Sequence, residues 1–86
     1  MELLLFTSAF CEPCMQTRSV MAEVTRIAPV VQVTEFDIVR DEARAMAEGI
    51  RSTPTVIVHN ADGAEVFRAE GVPTIQQVLV AAAKGL

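Results

Sequence analysis

Glu2-Leu3-Leu4-Leu5-Phe6-Thr7-Ser8-Ala9-Phe10-Cys11-Glu12-Pro13-Cys14 is the stretch whose reading decides the fold. Leu3 to Phe6 is an apolar run, as expected of a short strand buried on both faces. Ser8 to Glu12 reads as a turn. A helix is predicted from Glu12 to Ala28, because Pro13 is tolerated in a first turn whose backbone N–H groups have no intrahelical partner. Val20, Met21, Val24, Ile27 and Ala28 recur at helical spacing and predict its buried stripe. Pro29 stops it. Two cysteines therefore fall where a buried strand passes into a helix.

Working outward, Val30 to Ile38 is rich in β-branched residues and predicts a second strand. Asp41 to Glu48 predicts a short helix with acids in its first turn, Gly49 beyond its end, and Ala43, Met46, Ala47 and Ile50 on its buried face. Thr55 to His59 and Glu65 to Ala69 predict two strands joined by the hairpin signal Asn60-Ala61-Asp62-Gly63. A last helix begins near Thr74, where Thr74 and Gln77 have capping-box spacing. Ile75, Val78, Leu79 and Ala82 form its apolar face, and Lys84 and Gly85 close it. The order β-α-β-α-β-β-α defines an α/β domain spanning residues 1–86. The first βαβ unit is expected to be a right-handed parallel crossover, and the hairpin adds antiparallel strands. The expected architecture is a mixed four-stranded sheet with helices on both faces.

The composition narrows the function. With 86 residues, 51% of them hydrophobic, the chain can fill one core. Its net charge is −4 and its single lysine is Lys84. No basic patch is available for phosphates or anionic lipids, so nucleic-acid and membrane partners are not expected. The first residues lack the positive start and long apolar stretch of a secretory signal, which makes the cytoplasm the expected location. In a reducing compartment, a lone cysteine pair is catalytic or metal-binding more often than structural.

Dithiol exchange needs one exposed, ionised sulfur and a second sulfur within reach of the first. A Cys-x-x-Cys across a helix start supplies both. Cys11 lies near the helix N-terminus, where free N–H groups and the helix dipole favour an anion and lower a thiol pKa from about 8.5. Cys14 lies one turn in and attacks the mixed disulfide once it forms. Glu12 acts in the opposite sense, because a carboxylate beside Cys11 disfavours the thiolate, which points to a reductant. A closed zinc site needs four ligands. Two cysteines and one histidine, His59, cannot supply them from Cys and His alone. No metal and no cofactor are expected.

Phe10-Cys11-Glu12-Pro13-Cys14 and Gly49-Ile50-Arg51-Ser52-Thr53-Pro54-Thr55, followed by Asp62-Gly63 and Gly71, resemble the thioredoxin superfamily over nearly the whole chain. The short length and the Glu70-Gly71-Val72-Pro73-Thr74 ending resemble the small, glutaredoxin-sized thioredoxins of archaea and some bacteria. Phe10 stands where thioredoxins usually have Trp, and Glu12 where they have Gly. The resemblance implies a thioredoxin-like fold and a thiol–disulfide oxidoreductase acting through Cys11, Cys14 and Pro13. It also implies a cis Thr53–Pro54 bond beside the dithiol, with the Thr53 backbone pairing with an extended substrate. Phe10, Glu12 and Gly71 complete the implied substrate site. The implied partners are disulfide-containing proteins and a thioredoxin-reductase-like electron donor, with the chain acting as a monomer.

Two departures bear on proton handling. Leu5 occupies the place of the buried aspartate of thioredoxins, and Glu35 the place of their strand lysine. The resemblance puts Leu5 and Glu35 on adjacent strands under the dithiol. Glu35, if partly buried with a raised pKa, is the expected proton relay for Cys14. The segment Glu70-Gly71-Val72-Pro73 lacks the Gly-Gly-Asp/Asn turn of glutathione-binding glutaredoxins. Two other functions fit the same sequence: a thioredoxin-fold interaction module without catalysis, and a metal- or cluster-binding module.

Overall fold

Alternation along β1 (Glu2–Thr7) sends side chains to two different cores. Leu3 and Leu5 pack with Met21, Val24, Val56, Val58 and Val78 on one face. Leu4 and Phe6 pack with Ala45 and Ile57 on the other. All four are at most 1% exposed, so the unbroken apolar run is that of a central strand covered on both sides.

The computed structural model describes residues 1–86. After β1 come α1 (Glu12–Ile27), β2 (Val33–Asp37), α2 (Glu42–Ala47), β3 (Thr55–His59), β4 (Glu65–Glu70) and α3 (Ile75–Gly85). The sheet order is β2-β1-β3-β4. β1 and β2 are parallel, with Leu5 opposite Glu35, and the β1–β3 and β3–β4 pairs are antiparallel. α1 and α3 cover the Leu5 face and α2 the Phe6 face. No helix is long and apolar enough to cross a membrane.

The local signals act as their chemistry requires. The Thr74 hydroxyl accepts from the Gln77 N–H at 3.1 Å, and the Gln77 side chain accepts from the Thr74 N–H at 2.9 Å. This capping box pairs two backbone donors at the start of α3. Asn60 Oδ1 accepts from the N–H groups of Asp62 and Ala64, and Gly63 takes the positive φ of 82° that closes the hairpin.

Three expectations are corrected. The buried stripe of α1 is Cys14, Thr17, Met21 and Val24. Ile27 lies about 100° round the helix from the centre of that stripe and is 49% exposed. The buried residue of α2 is Ala45, while Ala43, Met46 and Ala47 face outward. The second strand begins at Val33, because Val31 turns back to the end of α1 by donating its N–H to the Ala28 carbonyl at 2.9 Å.

Candidate active site

Cys11 is the N-cap of α1, with extended backbone and its sulfur aimed at the open N–H groups of the first turn. The Cys14 N–H donates to Cys11 Sγ at 3.1 Å. Cys11 is partly exposed, whereas Cys14 is fully buried. The two sulfurs are joined as a disulfide, so the geometry is that of the oxidised state. Pro13 sits in the first turn without costing an intrahelical hydrogen bond. Its carbonyl accepts from the buried Thr17 hydroxyl at 2.8 Å, which anchors the turn between the cysteines.

Phe10 precedes the cap with a φ of 55°, the one non-glycine residue in the left-handed region. This conformation turns the ring fully into solvent. Such backbone is sparsely populated for a bulky residue and recurs at functional sites. Phe10, Cys11, Met15 and Arg18, with Ser8, Ala9 and Glu12, line a cleft of about 470 Å³.

The second wall comes from the loop before β3. The Thr53–Pro54 peptide bond is cis and Pro54 is buried. Gly71, with a φ of 97°, donates its N–H to the Pro54 carbonyl at 2.9 Å and so ties the start of the α3 segment to this loop. Ser8 and Thr53 hydroxyls are 2.7 Å apart, joining the loop after β1 to the loop before β3. Sequence reasoning missed that bond, since 45 residues separate the pair. The backbone N–H and C=O of Thr53 have no partner within the chain. They form a short open edge of the kind that receives an added strand.

Glu35 does not meet its expectation. Its carboxylate takes three hydrogen bonds from Arg18 Nε and Nη2, at 2.8–3.1 Å, and one from the Thr7 hydroxyl at 2.9 Å. The Arg18 hydrogen bonds chiefly, and that of Thr7, hold its pKa below the usual glutamate value despite some burial. A carboxylate so stabilised is a poor base near neutral pH, and the expected relay role is withdrawn. Glu35 lines a separate groove between α1 and β2, with Leu5, Arg18 and Met21. At the opposite end of the sheet, Glu48, His59 and Glu65 bring possible ligand atoms within 4.8 Å of one another. Arg44 and Arg68 already engage the two carboxylates, so this is an ion-pair network.

The thioredoxin family model matches residues 1–84, so the chain belongs to the thioredoxin family. Family, fold and cysteine pair together make it a thiol–disulfide oxidoreductase. Solved structures with the same fold include thioredoxin-2 of the malaria parasite, a component of its protein secretion machinery. Its TM-score is 0.85 at 17% identity, covering 95% of this chain and 80% of that one. Thioredoxin 1 of the thermophilic eubacterium Thermosipho africanus TCF52B gives 0.81 at 15% identity, over 98% and 92% of the two chains. A mutant thioredoxin from Halobacterium salinarum NRC-1 gives 0.81 at 24% identity, over 96% and 72%. No curated protein sequence matches the chain.

Proposed function

We propose that this protein is a protein-disulfide reductase that cycles Cys11 and Cys14 between dithiol and disulfide. The observation that carries the reading is the partly exposed Cys11 cap with buried Cys14 behind it, and the open Thr53 edge on the facing loop. In the reduced protein, the Cys11 thiolate attacks one sulfur of a substrate disulfide. A mixed disulfide forms and the other substrate sulfur leaves as a thiolate. Cys14 loses its proton and attacks Cys11 Sγ, which releases the second substrate thiolate. Two electrons pass to the substrate, its thiolates take up protons, and Cys11–Cys14 becomes the disulfide.

The Cys11 cap accepts an N–H hydrogen bond and sits on the positive end of a 16-residue helix, both of which stabilise a thiolate. Cys14, buried, is protected from competing reagents until the mixed disulfide is within reach. An extended partner chain pairs with the N–H and C=O of Thr53 and presents its disulfide to Cys11, with Phe10 exposed as an aromatic contact. Glu12, exposed beside Cys11, opposes the thiolate and favours a reducing couple, nearer the thioredoxin value of about −270 mV than the oxidising value of about −120 mV. The electron donor that fits is a thioredoxin-reductase-like enzyme of the cytoplasm, because the segment leading into α3 lacks the glutathione-site turn.

Insulin reduction tests the reading. The wild-type protein, kept reduced, should accelerate precipitation of the freed insulin chains, and Cys11→Ser should remove the effect. A wild-type protein no faster than buffer would leave the interaction-module reading in its place.

A further inference from the structure

Arg18 stands two turns after Cys11 on α1, an axial distance of about 10 Å. Helical side chains lean back toward the N-terminus, and the Arg18 side chain lines the same cleft as Cys11. Its Nε and Nη2 are both spent on Glu35, whereas Nη1 has no partner. Arg18 lines both that cleft and the groove between α1 and β2, whereas Glu35 lines the groove alone. The Thr7 hydroxyl holds the carboxylate from the end of β1, and the Arg40 guanidinium reaches the Glu35 carbonyl at 3.5 Å. Of the two members of the ion pair, Arg18 is therefore the one that shares the cleft with the reactive sulfur. Glu12 is exposed beside Cys11, and on the facing loop Arg51, two residues before Thr53, is paired with Glu70.

We propose that Arg18 and Glu35 are positioning residues for the dithiol chemistry, Arg18 stabilising the Cys11 thiolate across the cleft and Glu35 limiting how far it does so. The inference rests on the reading of Cys11 as the nucleophile. Both members are about two-fifths exposed, so the pair contributes little to folding. Its effect on a nearby anion follows from distance and screening: one uncompensated charge at about 10 Å moves a thiol titration by roughly 0.2–0.5 pH unit at moderate salt.

The decisive variant reverses the pair, Arg18→Glu with Glu35→Arg, in a Cys14→Ser background so that only Cys11 titrates. The ion pair survives and the charge facing Cys11 changes sign. Thiolate absorbance and the pH dependence of iodoacetamide alkylation should then place the Cys11 titration roughly 0.1–0.3 pH unit higher, since the two charges partly cancel, and concentrated salt should shrink the difference. A purely structural pair predicts no change. An unchanged or lower titration in the reversed pair overturns the proposal. Should that variant fail to fold, the single changes decide: Glu35→Gln should lower the titration and Arg18→Gln raise it, and shifts of the same sign overturn the proposal. Insulin reduction by the wild-type protein tests the reductase reading separately, because the Cys11 titration is read without substrate.

Discussion

Leu5→Asp would restore the buried acid that thioredoxins carry in this strand, into surroundings that do not receive it. Leu5 is 1% exposed and packs with Leu3, Met21 and Val24. Losing the burial of its side chain costs roughly 2–3 kcal/mol. Burying a carboxyl group without a partner adds about 1–3 kcal/mol. Glu35 is the register partner of Leu5, and Arg18 is already engaged with Glu35, so the neighbourhood offers like charge without a free cation. The expected loss is about 3–6 kcal/mol near neutral pH, against a typical domain stability of about 5–15 kcal/mol. The sign of its pH dependence follows from burial. The new carboxyl titrates above its unfolded value of about 3.9 in the folded state, so the ionisation penalty is absent below that value and grows as pH rises towards the folded pKa. Urea unfolding followed by circular dichroism, at about pH 5 and about pH 8, should show the variant weaker at the higher pH relative to wild type. A loss below about 1 kcal/mol at the higher pH, or equal losses at both, would refute the packing argument.

Thr74→Ala removes one arm of the α3 capping box and should cost about 1 kcal/mol, a fall of roughly 4–8 °C in Tm by thermal melting. Ser8→Ala breaks the bond that steadies Thr53; KM for a protein disulfide should rise a few-fold, while reduction of a small aromatic disulfide stays unchanged. Glu35→Gln should cost about 0.2–1 kcal/mol at neutral pH, the range of an exposed pair. Because the folded-state pKa of Glu35 is lowered, that difference should be present above its unfolded value and vanish as pH falls through the lowered one, as acid titrations of stability in both proteins would show.

Much of the fold could be read from the chain because its signals are local. β1 is an unbroken apolar run, the Asn60–Gly63 turn carries its own side-chain hydrogen bonds, and the α3 cap is a four-residue motif. The errors come where local pattern underdetermines the face. α2 has six residues, fewer than two turns, so Ala43, Met46 and Ala47 looked as good a stripe as Ala45. Only packing on Leu4, Phe6 and Ile57 selects Ala45. Ile27 failed because the stripe of α1 is centred between Thr17 and Met21, and a threonine whose hydroxyl bonds to the Pro13 carbonyl can sit in a core without reading as apolar. At the site, the cysteines were visible in the sequence because their chemistry needs fixed spacing. The Ser8–Thr53 bond and the Arg18 partner of Glu35 were not, because the fold alone brings those residues together.

Trapping with Cys14→Ser tests the central claim most directly. In this variant the mixed disulfide has no resolving thiol. Incubated in reduced form with a protein that carries an accessible disulfide, it should form a covalent adduct, and peptide mass mapping should place the linkage at Cys11. Cys11→Ser under the same conditions should give none, because Cys14 is buried. Adduct formation through Cys14 in Cys11→Ser, with none in Cys14→Ser, would contradict the assignment of Cys11 as the attacking thiol.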